Sequence, residues 1–284
     1  MSPTTTKNLE IYDPQEYAKS GNTRSGCIQE ILDIHGGFMS WEGVKNVLEI
    51  GCGIGDVTEP CFLPLLPRDI ERFVCSDGSL TVLEAARTRF QGLEHIEFLQ
   101  LDIENPIDNG LVSKFDRILS TFCLMYVKNQ RQAYENIFNA LVPGGDCWIV
   151  ILATAAAFET LFRLAETSKW KKQLRNIHDI LIFPYRNVPE PEKMAENLLE
   201  SIGFSDISVK LQDFQPNYNT VEGFRANVES LPNVCELSKE DLAELHDDQM
   251  DVGKDLNFID DFYIPGKPVF KPLFQSLLIY AKKP

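Results

Sequence analysis

Short apolar runs alternate with helix-like stretches along the first half of this chain, and that alternation narrows the fold more than any single motif. KNVLEI (45–50), RFVCS (72–76), HIEFLQL (95–101), FDRILST (115–121) and CWIVILAT (147–154) read as strands. LTVLEAARTRF (80–90) and RQAYENIFNAL (131–141) read as helices between them. In the second helix, Tyr134, Ile137, Phe138 and Leu141 keep the i, i+3, i+4, i+7 spacing of one face. It is expected to stop at Pro143-Gly144-Gly145, where proline cannot continue it and glycine supplies a left-handed cap. Strand–helix–strand units of this length imply parallel strands, right-handed crossovers and helices on both faces. The strands are nearly continuous apolar runs, as strands covered on both faces are.

The first strand runs into VLEIGCGIGDVT (47–58), with glycines at 51, 53 and 55. Glycine lets the backbone turn tightly and approach a ligand closely. In open α/β sheets, ligands lie beyond the carboxyl ends of the strands, where this turn sits. Dinucleotide turns read GxGxxG and seat a pyrophosphate on a helix N-terminus. Here the spacing is GxGxG, and Asp56 stands where the third glycine would be needed. A carboxylate there repels a phosphate, and Glu49 adds a second acid. A cationic ligand without phosphate removes the conflict. S-adenosylmethionine, with an α-ammonium and a sulfonium, is such a ligand, and Glu49 and Asp56 are expected near its charges. Asp77, just past the second strand, is placed to accept from ribose hydroxyls. Asp102, past the third, is placed to accept from an adenine amino group, with Ile103 offering an N–H and an apolar wall.

Together, GxGxG, Asp77, Asp102 and LVPGG before the fifth strand resemble the class I S-adenosylmethionine-dependent methyltransferases. The resemblance implies an α/β, Rossmann-like, seven-stranded sheet, mostly parallel with an antiparallel last strand, and helical cap insertions. FQSLLIYAKK (274–283) is the candidate last strand, and DISVKLQDF (206–214) another. The implied cofactor set is Tyr17, Glu49, Gly51, Cys52, Gly53, Gly55, Asp77, Gly78, Asp102, Ile103, Ser120 and Phe122. Tyr12 and Tyr17 lie in the N-terminal segment, where an aromatic ring could meet a sulfonium.

Several stretches are similar to one branch of that class. They are YAKSGN (17–22), ILSTFCLMYV (118–127), NQRQAYENIFNALVPGGDCWIVILA (129–153), SKWKKQLRNIHDILIFPY (168–185) and the late acidic helices. Together they resemble the arthropod juvenile hormone acid O-methyltransferases. The likeness implies a small hydrophobic acceptor acid, isoprenoid or fatty-like, such as juvenile hormone acid or farnesoic acid. In that family a Gln of the N-terminal helix and a His-Trp pair after the fourth strand face the substrate. The matching positions here are Arg24 and Met125-Tyr126. A guanidinium can hold a carboxylate bidentately, so Arg24 and Tyr126 are the expected substrate-positioning residues. Residues 155–185 are expected to form a helical cap, with Met125, Phe158, Phe162, Trp170 and His178 lining an acceptor pocket.

The expected organisation is a single domain over 1–284. It comprises N-terminal lid helices (1–40), a cofactor-binding core (45–154), the cap (154–200) and an acidic helical insertion (215–270). The net charge is −15, and residues 190–261 carry 18 acids against 5 bases. A nucleic-acid binder needs the opposite sign. No apolar run approaches the roughly 20 residues of a membrane helix, and the first residues lack an apolar signal core. Seven scattered cysteines with no CxxC pair point to reduced thiols in a cytoplasmic protein, with neither a disulfide framework nor a metal site.

A free carboxylic acid, with a pKa of roughly 4, is already a nucleophile at neutral pH, so its methylation needs no general base. The four histidines fit that expectation. His35, His95 and His246 read as surface or structural, and His178 falls in the cap. Two alternatives stay open: a methyltransferase of a different small molecule, and a catalytically weak lipid-binding or regulatory protein on the same fold.

Overall fold

The computed structural model describes residues 13–18, 21–214, 221–231, 233, 235–256, 258 and 274–284. Tyr12, the first part of the lid and parts of the 215–270 insertion lie outside the described residues. Seven strands form one sheet: β1 (Asn46–Ile50), β2 (Arg72–Asp77), β3 (Ile96–Gln100), β4 (Phe115–Thr121), β5 (Leu141–Ala155), β6 (Ser205–Phe214) and β7 (Phe274–Lys282). Their order is β3-β2-β1-β4-β5-β7-β6. Strands β1 to β5 pair in parallel, and β7 runs antiparallel to both β5 and β6.

The described helices are α1 (Pro14–Ala18), α2 (Gly21–His35), α3 (Leu80–Arg89), α4 (Gln130–Ala140), α5 (Ala156–Ala165), α6 (Ile177–Ile180), α7 (Pro191–Ile202), α8 (Val221–Glu229) and α9 (Lys239–Asp255). Local chemistry sets their starts. Ser79 accepts from Val82 N, Asn129 from Gln132 N and Ser238 from Asp241 N, each an N-cap that satisfies an otherwise orphaned donor. Helix α7 opens on Pro191 and closes on Gly203 in the left-handed region.

Side chains of β5 show why the sheet needs cover on both sides. Cys147, Ile149 and Ile151 join one core with Ile137 of α4, Leu161 of α5 and Leu199 of α7. Trp148 and Val150 join the other with Ile28 and Ile31 of α2 and Leu83 of α3. Strand β7 alternates in the same way, with Leu277 and Ile279 on the first side and Leu278 on the second.

Two local expectations differ. Helix α4 ends at Ala140, and Leu141 already pairs with Phe115, so LVPGG opens β5 instead of capping the helix. Gly144, at φ +84°, makes the irregularity where β5 gains register with β4. Within the cap α5 and α7 are regular helices, α6 is a single turn, and residues 166–176 form successive turns.

One buried ion pair fastens the sheet centre. Arg117 of β4 is 1% exposed and donates through Nε and Nη2 to the two oxygens of Asp146 on β5, at 2.6 and 2.7 Å. Nη2 also reaches the Ser40 carbonyl, and the guanidinium lies over Trp41. Removing one partner of such a pair strands the other charge in the core. Asp146→Ala is therefore expected to lower unfolding stability by about 3–5 kcal/mol in chemical denaturation, with the folded sheet otherwise unchanged.

Candidate active site

Backbone hydrogen bonds hold the glycine turn at the end of β1 against β2. Gly51 N and Cys52 N both donate to Ser76 O, at 2.8 and 2.9 Å. Gly53 N donates to Asp77 Oδ2 at 2.9 Å, and Ser79 N to Asp77 Oδ1 at 2.9 Å. The glycines have φ of +76°, +57° and +81°. Two of them answer packing: a β-carbon on Gly51 would lie 2.3 Å from Cys123, and one on Gly55 2.5 Å from Phe90. Gly53 lies beneath the Tyr17 ring, with 3.3 Å left for a β-carbon, so this position carries the close approach expected of a ligand turn.

After the turn the chain forms no regular α-helix. Thr58–Phe62 is one π-type turn and Leu63–Leu65 a short 3-10 turn, with Pro60 and Pro64 inside them. The aligned peptide dipoles that would seat a pyrophosphate are therefore missing directly after the glycine turn. Asp77 and Asp102, half-buried at the ends of β2 and β3, fit a nucleoside instead. Each also braces its own loop, Asp102 accepting from Glu104 N and Asn105 Nδ2. A carboxylate has about four acceptor sites, so this bracing is compatible with contacts to hydroxyl or amino groups. Ile103 is buried beside them, and the Gly78 carbonyl accepts from Gln100.

The two acids of the turn do not both stand as unpaired anions. Glu49 is 1% exposed and accepts from the Thr58 hydroxyl at 2.7 Å. Burial pushes its carboxyl up to about 8; the Thr58 bond pulls it down, and Asp56 and Asp77 raise it further. It is neutral at pH 7 in this state. Asp56 is paired, accepting from Arg24 Nε at 2.9 Å and Nη2 at 2.6 Å. Arg24 Nη2 also donates to the Tyr17 carbonyl, and its guanidinium carbon lies 3.5 Å from the centre of the Tyr17 ring. Arg24 thus clasps α1 and α2 to the glycine turn, a role the sequence reading did not foresee. Two other expected cofactor residues are packing residues here. Ser120 is buried and donates to Ile50 O, tying β4 to β1, and Cys52 is buried under the turn. Phe122, at φ +53°, turns its ring toward the neighbouring cavity.

That cavity opens beside Tyr17 and Arg24 at the carboxyl ends of β4 and β5. Met125, Tyr126 and Phe158 line it. Phe162, Trp170 and His178 do not. Trp170 is buried in the cap with Nε1 donating to Asp248 of α9. His178 is exposed and stacks on Phe162, which is buried against Phe183. Their periodicity belonged to the cap's own packing. The remaining wall comes from Cys27, Leu152, Phe214, Asn227, Ser230, Leu231, Phe274 and Ser276. Asn227 of α8, with Ser230 and Leu231 just after it, brings part of the acidic helical insertion onto the cavity wall, which the sequence does not signal. The Cys27 thiol is pushed up to about 12 by burial, so it is no base or nucleophile at neutral pH. No histidine lines the cavity among the described residues.

Comparison with known proteins agrees with this geometry. A methyltransferase domain model matches residues 48–147. The juvenile hormone acid O-methyltransferase of Bombyx mori is 28% identical over 270 residues, covering 94% of this chain and 96% of its own. The Drosophila melanogaster protein of the same name is 29% identical over 236 residues, covering 82% of this chain and 75% of its own. Among solved structures, Haemonchus contortus phosphoethanolamine N-methyltransferase 2, in complex with phosphomonomethylethanolamine and S-adenosylhomocysteine, superposes with a TM-score of 0.61 at 15% identity. That match covers 97% of this chain and 59% of the Haemonchus chain, so the present chain spans little more than half of it.

The Glu49 carboxyl supplies a test of the turn's electrostatics. A carboxyl raised on folding is protonated in both states below pH 4.5; above that the unfolded chain ionises first, so folding loses stability until about pH 8. Glu49→Gln keeps the shape and removes the titration. It is expected to gain stability over the parent by about 1.4 kcal/mol per pH unit across that window, and nothing at its acid end, in denaturation at a series of pH values.

Proposed function

We propose that this chain, a class I S-adenosylmethionine-dependent methyltransferase, transfers its methyl group to the carboxylate of a small, largely apolar acid. The observation that carries the reading is the cavity beside the glycine turn. Its wall is mostly aromatic and aliphatic, one guanidinium is part of it, and no histidine, carboxylate or lysine lines it among the described residues. A phenol, alcohol or protonated amine must lose a proton to react. A carboxylate does not, and its apolar remainder matches Phe122, Met125, Leu152, Phe158 and Phe274. The names of the Bombyx and Drosophila relatives point to the same acceptor class.

When bound, S-adenosylmethionine supplies an electrophilic methyl on a sulfonium. The chain's own contribution is position and exclusion of water. Asp77 and Asp102 would hold the nucleoside, and Tyr17 above Gly53 would cover the cofactor. In-line displacement needs the acceptor oxygen about 3–3.5 Å from the methyl carbon, so the apolar wall acts mainly by orientation. Arg24 and Tyr126 are placed to steer the carboxylate, with Arg24 shared between that task and its clasp on Asp56. Such sharing suits the reaction, since a carboxylate loses its charge on methylation and a full ion pair would hold the ground state too firmly.

The test is a labelled methyl-transfer assay on farnesoic acid and medium-chain acids, with a phenol and an amine as controls. Transfer to acids, at a rate level between about pH 6 and 8 because the carboxylate is ionised throughout, is the expected result. Label entering only the phenol or amine, with a rate rising through that range, overturns it. Phe158→Ala is expected to raise KM for the acid about ten-fold through lost apolar contact, with S-adenosylhomocysteine affinity unchanged in calorimetry.

A further inference from the structure

Asp56 has a reach beyond the glycine turn. Its side chain is only 8% exposed, and Oδ2 takes both bonds from Arg24, one from Nε and one from Nη2. The same oxygen stands against the start of α2, where a β-carbon on Gly21 would lie 3.0 Å from it. Gly21 and Arg24 are neighbours one helical turn apart, so one carboxylate holds the first turn of α2 by contact and by charge. A negative group at that end also suits the helix dipole. Further along α2, the Ser25 carbonyl accepts from the Cys61 thiol at 3.4 Å. Ile28 and Ile31 share a core with Val57, Cys61 and Phe62. Helix α2 therefore rests on the glycine turn and on the residues that follow it.

The same helix also walls the acceptor cavity, through Arg24 and Cys27. Arg24 is the one cation on that wall among the described residues. Tyr17 closes a ring of contacts: it covers Gly53, its carbonyl accepts from Arg24 Nη2, and its ring faces the guanidinium. The proposed place of the cofactor and the acceptor cavity thus share one ion pair. The turn itself carries three glycines at positive φ, the residue type with the widest backbone freedom. A ligand seated on Gly53 restrains that freedom, and Asp56 passes the restraint to α2. A second ligand that meets an already ordered wall loses less entropy on binding.

We propose that Asp56 is a positioning residue that couples the two sites. Acting through Arg24, it makes occupancy of the glycine turn order α2 and tighten binding in the acceptor cavity. Asp56 itself, nearly buried and committed to Arg24, touches neither ligand. The coupling is reciprocal, so the acceptor tightens the cofactor by the same factor. On the acceptor side the inference rests on the carboxylate reading above; the ordering of α2 does not depend on it.

The experiment uses the full chain with and without S-adenosylhomocysteine. Hydrogen exchange follows the amides of α2, and calorimetry measures farnesoic acid. In the parent, S-adenosylhomocysteine is expected to slow exchange over residues 21–35 and to tighten farnesoic acid about ten-fold, a usual size for coupling between sites. Asp56→Asn keeps the shape and removes the charge. It is expected to lose both effects while binding S-adenosylhomocysteine alone as the parent does. Arg24→Gln removes the pair from the other side and is expected to lose the α2 effect equally. The double variant is expected to lose no more than either single change, as for residues acting as one unit. A merely structural role would lower stability in denaturation and leave the coupling factor intact. The inference is overturned if Asp56→Asn keeps both effects, or if S-adenosylhomocysteine leaves α2 unchanged in the parent. It is also overturned if the parent binds farnesoic acid equally in both states. A ten-fold or larger fall in S-adenosylhomocysteine affinity of Asp56→Asn, about the size of one charge-assisted contact, makes Asp56 a cofactor ligand and overturns it too. If α2 responds as expected but farnesoic acid binds in neither state, the link through the pair stands and the carboxylate reading falls. If Asp56→Asn does not fold, Arg24→Gln decides by the same α2 measurement.

Discussion

Gly51 N, Cys52 N and Gly53 N are all drawn onto the end of β2, two by the Ser76 carbonyl and one by the Asp77 carboxylate. These bonds fold the chain back at the end of β1 and leave Gly53 as the open floor of the site. The rest of the functional end is arranged around that floor. Tyr17 lies above Gly53, Arg24 joins Tyr17 to Asp56 at the turn's far side, and Phe122 continues from β4 into the acceptor cavity. Asp77 thus fixes the turn with the same carboxylate that is proposed to hold a nucleoside. A substitution there would disturb backbone geometry and ligand contacts together.

Charge at this end is more balanced than a count of acids implies. Glu49 is held neutral by burial, and Asp56 is matched by Arg24. The attraction for a cationic cofactor therefore rests less on the acids within the glycine motif than on what stands at the strand ends. The glycine motif alone suggests two anions, Glu49 and Asp56, beside a cationic cofactor, but the charge of Asp56 is compensated from α2. Long-range pairs such as Arg24–Asp56, 32 residues apart, carry no local sequence signal.

Legibility followed the same physical division. Strands β1, β2, β4, β5 and β7 were readable because two-sided burial writes itself as apolar runs, and the turn because positive φ selects glycine at three fixed places. Asp77 and Asp102 were readable because strand ends locate them. The cavity wall was half readable. Met125, Tyr126 and Phe158 adjoin a strand end or open the cap helix, so their position follows from local structure. Trp170 and His178 failed because an apolar stripe does not say which of two neighbours it packs against, and here α9 and Phe162 took them. Asn227, Ser230 and Ser276 lie more than 100 residues beyond the turn, and only folding brings them into the same cavity wall as Tyr126.

The absence of a base on the described cavity wall and the presence of a shared guanidinium belong to one chemical logic. An enzyme that activates a weak nucleophile must hold a base in place and tune it. One that accepts an ionised carboxylate must instead avoid stabilising that charge too well, because the charge vanishes in the product. Arg24 meets this requirement through its commitment to Asp56 and the Tyr17 carbonyl, which tempers what it offers an acceptor. The discrimination such a site can reach then has to come from the remainder of the molecule. Apolar walls separate ligands by only a modest factor per methylene, whereas a buried polar group that goes unpaired with the wrong ligand separates them more sharply.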